Sequence, residues 1–288
     1  MGMNSVERYY QKKKKRKKRA RVLFFSLLFI LLMITLAILS MTVFFNAETI
    51  IVEGNNHYSA EEILERGGLK IGQNLFRLDK FKAIEQMQEL PYVKSVTIRR
   101  RLPNRLTVEI VENQPVVWVA TEGGAALLNE DYRVLEFLEI PAEELPAQSS
   151  EEQNSEEKSS EEQNTGGVPA PALLEGIPQL TQIEPTELLI GETAKFGEED
   201  YTGFLKRLYE AFLRNTDLEW PQVKEIQFFA RYDVKLLYGQ AIIIDFGTLD
   251  QADTKLELAA YLLKDNGSSQ PATLDVSNTE RVYYRPRK

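Results

Sequence analysis

The chain has 288 residues, 43% of them apolar, no cysteine, one histidine and a net charge of −8. The absence of cysteine excludes a disulfide framework, thiol catalysis and Cys-based zinc sites. An acidic balance over most of the length offers no general lure for nucleic acid.

Charge is distributed very unevenly. Residues 1–21 hold ten Lys/Arg against a single Glu. Nine of those cations are Lys12, Lys13, Lys14, Lys15, Arg16, Lys17, Lys18, Arg19 and Arg21, broken only by Ala20. The next 24 residues, Val22 to Phe45, carry no charge at all. Roughly 20 apolar helical residues cross a bilayer core, so this run is long enough. Cation clusters stay on the cytoplasmic side. The expectation is a cytoplasmic basic tail over 1–21, a transmembrane helix over 22–46 and an extracytoplasmic remainder. That is a single-pass type II topology, with the tail cations resting on anionic lipid headgroups. A cleaved signal peptide has a shorter apolar stretch and small residues before the cut, where this chain has Phe44 and Phe45. Phosphate binding by the basic run is the minor alternative beside a membrane span.

Outside the membrane the pattern turns mixed. Ile50 and Val52 read as a short strand ended by Gly54-Asn55-Asn56. Ser59-Ala60-Glu61-Glu62 is a capping box, the Ser hydroxyl and the Glu carboxylate each satisfying a free helix amide. The helix it opens runs to about Arg66 and stops at Gly67-Gly68. A second helix spans about Asp79 to Glu89, with Phe81, Ile84, Met87 and Leu90 expected to face a sheet and Pro91 ending it. Two strands follow, about Tyr92–Arg101 and Leu106–Glu112, joined at Pro103-Asn104. Leu106, Val108 and Ile110 alternate with polar residues, the period of a half-buried strand.

The order strand, helix, helix, strand, strand, opened by Ile50-Ile51-Val52-Glu53-Gly54-Asn55 and closed by the hairpin Val93 to Pro115, resembles a POTRA domain. One such domain directly after an N-terminal anchor is similar to the bacterial cell-division family DivIB/FtsQ. The fold expected is α+β: a single N-terminal transmembrane helix, a small POTRA domain (β-α-α-β-β) over 48–115, and a larger mixed β domain with covering helices over 116–288. The resemblance implies a scaffold rather than an enzyme, without a cofactor. Its implied partners are the small bitopic division proteins of the DivIC/FtsB and FtsL types, and through them the septal peptidoglycan synthase complex. The implied place is the cell membrane at the division septum. Arg99 and Arg101, ordinarily a solvated strand end, become candidates for docking other division proteins.

The larger region is β-rich from Val116. Val116–Val119 and Ala125–Leu128 flank Gly123-Gly124, a hairpin signal, and Tyr132–Leu135 continues it. Ser149-Ser150-Glu151-Glu152-Gln153-Asn154 then recurs unchanged at Ser159–Asn164. This composition buries nothing. A disordered acidic insertion is expected at about 141–172, before the chain resumes at Ile177-Pro178-Gln179-Leu180-Thr181. The resemblance places that segment inside one β domain, although Gln182 stands where family members often have Gly. An amphipathic helix is expected from Glu198 to about Asn215, with Phe204, Leu205, Leu208, Tyr209, Phe212 and Leu213 on one face. Strands over about Val223–Ala230, Val234–Tyr238 and Ala241–Phe246 follow. Gly239-Gln240 reads as a two-residue type II′ turn, and Ile242, Ile243 and Ile244 as a strand covered on both faces. A helix over about Asp250–Lys264 and strands over about Ala272–Val276 and Arg281–Arg285 complete the chain.

No catalytic motif stands out. A GxxxxGK loop, an HExxH helix and a Gly-x-Ser-x-Gly elbow are all missing from the sequence. His57 lies in the polar loop Gly54–Tyr58. The rival reading is a membrane-anchored cell-wall hydrolase whose carboxylate pair the sequence does not select. The candidate partner surface is the last strand. A strand near the chain end commonly lies at a sheet edge, with backbone groups open to another chain. Alternation sends Val282 and Tyr284 to one face and Tyr283 and Arg285 to the other. Arg281, Tyr283, Tyr284 and Arg285, with Thr273 and Asp275 on the preceding strand, form the candidate site. Both tyrosines finishing the core is the competing reading.

Overall fold

In the computed structural model, the residues described are 21–36, 38, 44–140, 174–197, 203–230, 233–267 and 270–287. Most of the basic tail, Lys12 to Arg19, and the acidic repeat lie outside them. The chain divides into two compact units, one of residues 1–88 and 95–111, the other of 89–94 and 112–288.

Residues 21–36 are helical, and their side chains are all exposed. Among the described residues no helix is long and apolar enough to cross a membrane. Residues 37 and 39–43 of the apolar run are not among them.

The rest of the first unit is built from β1 (Thr49–Glu53), α1 (Ala60–Arg66), α2 (Lys80–Gln88), β2 (Val93–Arg101) and β3 (Arg105–Glu112). The sheet order is β1-β3-β2, with β1 parallel to β3. The capping box forms as expected. The Glu62 N–H donates to Ser59 Oγ, and the Ser59 N–H donates to Glu62 Oε2 at 2.8 Å. The Ser59 N–H and hydroxyl both donate to Glu62 Oε2, which favours the ionised carboxylate and holds Glu62 below the usual carboxylate range. Val96, Ile98, Leu106, Val108 and Ile110 of the sheet are buried, as are Ile63 of α1 and Met87 of α2. Gly54 has φ +84°, and a Cβ there would meet Ile110 O at 2.2 Å. Only glycine lets β1 end so close to β3.

One reading of α2 is corrected. Phe81 was expected on the sheet-facing side, but it is 86% exposed, and Ala83 and Met87 are the buried pair. The inward stripe follows an i, i+4 spacing through a small residue rather than the i, i+3 spacing through Phe81.

Among the described residues the second unit forms a nine-stranded sheet in the order β12-β11-β10-β9-β8-β7-β4-β5-β6. Its strands are β4 (Val117–Thr121), β5 (Gly124–Leu128), β6 (Val134–Glu139), β7 (Gln179–Thr181), β8 (Val223–Ala230), β9 (Asp233–Tyr238), β10 (Ile242–Gly247), β11 (Ala272–Asp275) and β12 (Tyr283–Pro286). The short β7 pairs in parallel with both β4 and β8, so the chain on either side of the acidic repeat lies in one sheet. Two helices, α3 (Phe204–Arg214) and α4 (Ala252–Asn266), contribute to its single large core. That core joins Leu205, Leu208 and Phe212 of α3 and Leu256, Ala259 and Leu263 of α4 to Ile226, Phe228, Leu236, Ile244 and Leu274 of the sheet.

Four local features depart from the pattern expected. Leu213 is 65% exposed, and Ala211 takes its place on the buried face of α3. The β9–β10 connection pairs Tyr238 with Ile242, leaving three linking residues instead of two, with Gly239 at φ +62°. Along β10, Ile242 and Ile244 are buried whereas Ile243 is only half-buried, so the strand is packed chiefly on one side. The hairpin loop between β4 and β5 is Glu122-Gly123, because Gly124 pairs with Thr121. Gln182 sits at φ +59°, a conformation that glycine adopts freely.

Residues 89–94 are knitted into the second unit by polar side chains. Asn113 donates to Pro91 O at 2.8 Å and accepts from the buried Asn129 amide at 3.0 Å. Tyr92 donates to Glu136, and Lys94 meets Glu130 at 2.5 Å. The hydrogen bond to Glu130 pushes the Lys94 ammonium up from its ordinary value.

Candidate functional site

Among the described residues the sheet ends at β12, which pairs antiparallel with β11 on one side. Several bonds hold this edge in place. Asp275 Oδ1 accepts from the Ser277 backbone and hydroxyl, and Asn278 accepts from the Glu280 N–H. At the far end the Arg287 N–H donates to Pro271 O at 2.8 Å, and its guanidinium donates to Ala241 O at 2.7 Å. The loop leading into β12 is thus fixed by its own side chains, and the residue after the strand is tied to Pro271 and Ala241.

The register sets Thr273 opposite Arg285, Leu274 opposite Tyr284 and Asp275 opposite Tyr283. Alternation then places Thr273, Asp275, Tyr283 and Arg285 on one face. Tyr284 and Val282 turn the other way and pack against the core. Tyr283 is 48% exposed. Arg285 reaches Asp275 at 3.2 Å and lies over the Tyr283 ring at 5.6 Å. Arg281 is exposed in the turn just before β12. Of the six candidates at this end, four share a face, Arg281 flanks them and Tyr284 sits on the buried side.

Two residues that the sequence reading did not select extend this face. β10 runs parallel to β11 with Ile243 beside Thr273 and Asp245 beside Asp275. Burial pushes the Asp245 carboxyl up, Lys235 and Arg285 oppose the shift, and Asp275 and Asp233 add to it. The signal was present in the alternation of Ile242–Phe246. What the sequence hid was the crossover through α4 that makes β10 and β11 neighbours.

Arg99 and Arg101 belong to β2 in the first unit. Arg99 pairs with Glu109 on β3 at 3.1 Å, and Arg101 is exposed. Arg100, between them, turns inward to donate to Leu78 O at 3.1 Å. Arg21, at the end of the tail, is exposed on the N-terminal helix. The other tail cations lie outside the described residues. His57 stacks edge-on against Tyr58 at 4.8 Å. Among the described residues, no group of three or more His, Asp or Glu is placed to hold a metal ion.

The family model described as "POTRA domain, FtsQ-type" matches residues 45–113. Cell division protein FtsQ of Corynebacterium glutamicum is 34% identical over 102 residues, which is 34% of this chain and 46% of that protein. Cell division protein DivIB of Clostridium acetobutylicum is 32% identical over 93 residues, 32% of this chain and 37% of that one. DivIB of Staphylococcus aureus is 35% identical over 85 residues, 30% of this chain and 19% of that one. Residues 45–113 are an FtsQ-type POTRA domain, similar to that of the DivIB and FtsQ cell-division proteins. It matches less than half the length of each of these relatives. The FtsQ-type POTRA domain holds β1, α1, α2, β2 and β3. The C-terminal edge and its face lie beyond the matched residues.

Proposed function

We propose that this chain is a non-enzymatic, membrane-anchored scaffold of the bacterial cell-division machinery, and that it captures its partner at the β12 edge. The observation that carries the proposal is the pairing of an open strand edge with one face holding Thr273, Asp275, Tyr283 and Arg285. An extended partner segment adds to such an edge through backbone hydrogen bonds, and the side chains beside it give specificity. Tyr and Arg are the residue types that most often dominate interface energy. The partners proposed are small bitopic proteins of the DivIC/FtsB and FtsL types, and the effect on septal peptidoglycan synthesis passes through them. The charge-free run from Val22 to Phe45, behind nine cations, supports an anchor with the N-terminus inside.

The test is a pull-down of the candidate partner pair by the full chain in detergent, beside the Tyr283→Ala/Arg285→Ala double variant. Loss of capture with unfolding unchanged supports the reading, and full capture by the variant overturns it. Release of fragments from purified peptidoglycan by the wild-type chain would favour a hydrolase instead. Topology is checked by adding protease to wall-stripped cells. An N-terminal tag should survive while the outer region is digested.

A further inference from the structure

The segment between α1 and α2 leaves apolar side chains outside the fold. Ile71 is 74% exposed, Phe76 45%, and Phe81, at the start of α2, 86%. The core of this unit takes the residues interleaved with them, Leu69, Leu75 and Leu78. This segment is clasped to the last residue of the apolar run and the two that follow it. The Leu75 N–H donates to Phe45 O at 2.8 Å, the Ala47 N–H to Gln73 O at 2.9 Å and the Gly72 N–H to Ala47 O at 2.7 Å. The Asn74 side chain donates to Asn46 at 3.2 Å, and the Phe45 ring meets Phe76 edge-on at 5.0 Å. Phe44, one residue earlier, is 68% exposed.

The charges around these residues are mostly of one sign. Lys70, Arg77 and Lys82 are exposed. The Arg100 guanidinium lies over the Phe76 ring at 6.0 Å. Asp79 is the one acid between Leu69 and Ile84. Its carboxylate already accepts the Lys82 N–H at the start of α2.

We propose that this tip, with Ile71, Phe76 and Phe81 flanked by Lys70, Arg77 and Lys82, seats the first unit on an anionic lipid surface. The proposal rests on the anchor reading of Val22–Phe45. The occupant follows from continuity. Ile71 is one residue from a backbone bond to Ala47, so the tip is held where the chain leaves the apolar run. A spanning run therefore brings the tip to the headgroup layer. Aromatic side chains partition favourably there, and cations beside them meet anionic lipid. The clasp makes the unit a seated body rather than one on a free stalk.

The chain has no cysteine, so a single introduced thiol takes a polarity-sensitive fluorophore at one place. The full chain carrying Ile71→Cys, Phe81→Cys or, as control, Glu53→Cys is reconstituted into vesicles of phosphatidylcholine and phosphatidylglycerol. Glu53 is exposed at the far end of β1, roughly 15 Å along the strand from its start. Labels at 71 and 81 should be quenched by lipid-borne nitroxide and shielded from aqueous iodide, with the label at 53 behaving oppositely. Pure phosphatidylcholine should reduce the lipid quenching at 71 and 81. If iodide reaches 71 and 81 as freely as 53 while the chain resists alkaline extraction, the lipid seat is refuted and the anchor stands. If alkali strips the chain from the vesicles, anchor and seat fall together. Shielding of the tip only after a membrane-protein extract is added would assign it to a protein and overturn the proposal.

Discussion

Tyr283→Ala is the most informative single substitution at the β12 edge. The ring is 48% exposed and stands on the face away from the core. A tyrosine buries on the order of 200 Å² when fully covered, so a partner strand has about 100 Å² left to cover. At about 25 cal/mol/Å² that is roughly 2.5 kcal/mol, within the range of an interface anchor. Truncation should therefore weaken capture by about 1–3 kcal/mol, on the order of fivefold to a hundredfold in Kd. Stability should barely move, because the ring stands on the exposed face of the edge with the exposed Arg285 over it. Tyr284→Ala supplies the contrast. Tyr284 faces Leu274 and packs against the core. A fully buried aromatic costs about 3–5 kcal/mol on truncation, so this half-buried one should cost roughly 2 kcal/mol. Denaturant unfolding and partner titration of both variants decide the matter. If Tyr283→Ala lowers stability as much as Tyr284→Ala while binding is unchanged, the assignment of faces to roles is wrong.

Other consequences follow from single positions. Burial raises the Asp245 pKa in the folded state, so the native chain binds more protons than the unfolded chain between the two values, and ionised Asp245 opposes folding above them. Asp245→Asn should raise unfolding stability at neutral pH, with the gain fading as pH falls from the raised folded value to the ordinary carboxylate value and gone below it. A gain that grows in acid would contradict the sign. Gly54→Ala forces a side chain into φ +84° and against Ile110 O, and should destabilise by about 1–3 kcal/mol in thermal or denaturant melts. Deleting residues 149–171 should shift the melting temperature by no more than a few degrees, since each doubling of loop length changes closure entropy by only about 0.6 kcal/mol. A larger drop would mean that the acidic repeat contributes contacts.

Local signals in the sequence carried far, and long-range pairing did not. The Ser59–Glu62 capping box, the alternation of Leu106, Val108 and Ile110, and the α4 stripe of Leu256, Ala259, Ala260, Leu262 and Leu263 appear where their patterns put them. These depend on nearest neighbours along a helix or strand. At Phe81 and Leu213 a large apolar side chain is exposed while Ala83 and Ala211 are buried, so side-chain size alone did not decide which face of the helix turns inward. The parallel joins, β7 between β4 and β8 and β11 beside β10, left no local trace. Such crossovers are set by burial of the whole sheet face, not by turn chemistry. For the same reason the alternation of Tyr283 and Arg285 was readable from the sequence, but the presence of Ile243 and Asp245 on their face was not.

Hydrogen exchange of the full chain with and without the DivIC/FtsB-like and FtsL-like pair tests the central claim most directly. Strand addition gives hydrogen-bond partners to the β12 amides that do not bond β11. Peptides covering Tyr283–Arg285 should gain protection in the complex, and those covering the exposed outer face of α4, such as Tyr261, should not. A saturated complex in which Tyr283–Arg285 exchanges as in the free chain would contradict the account.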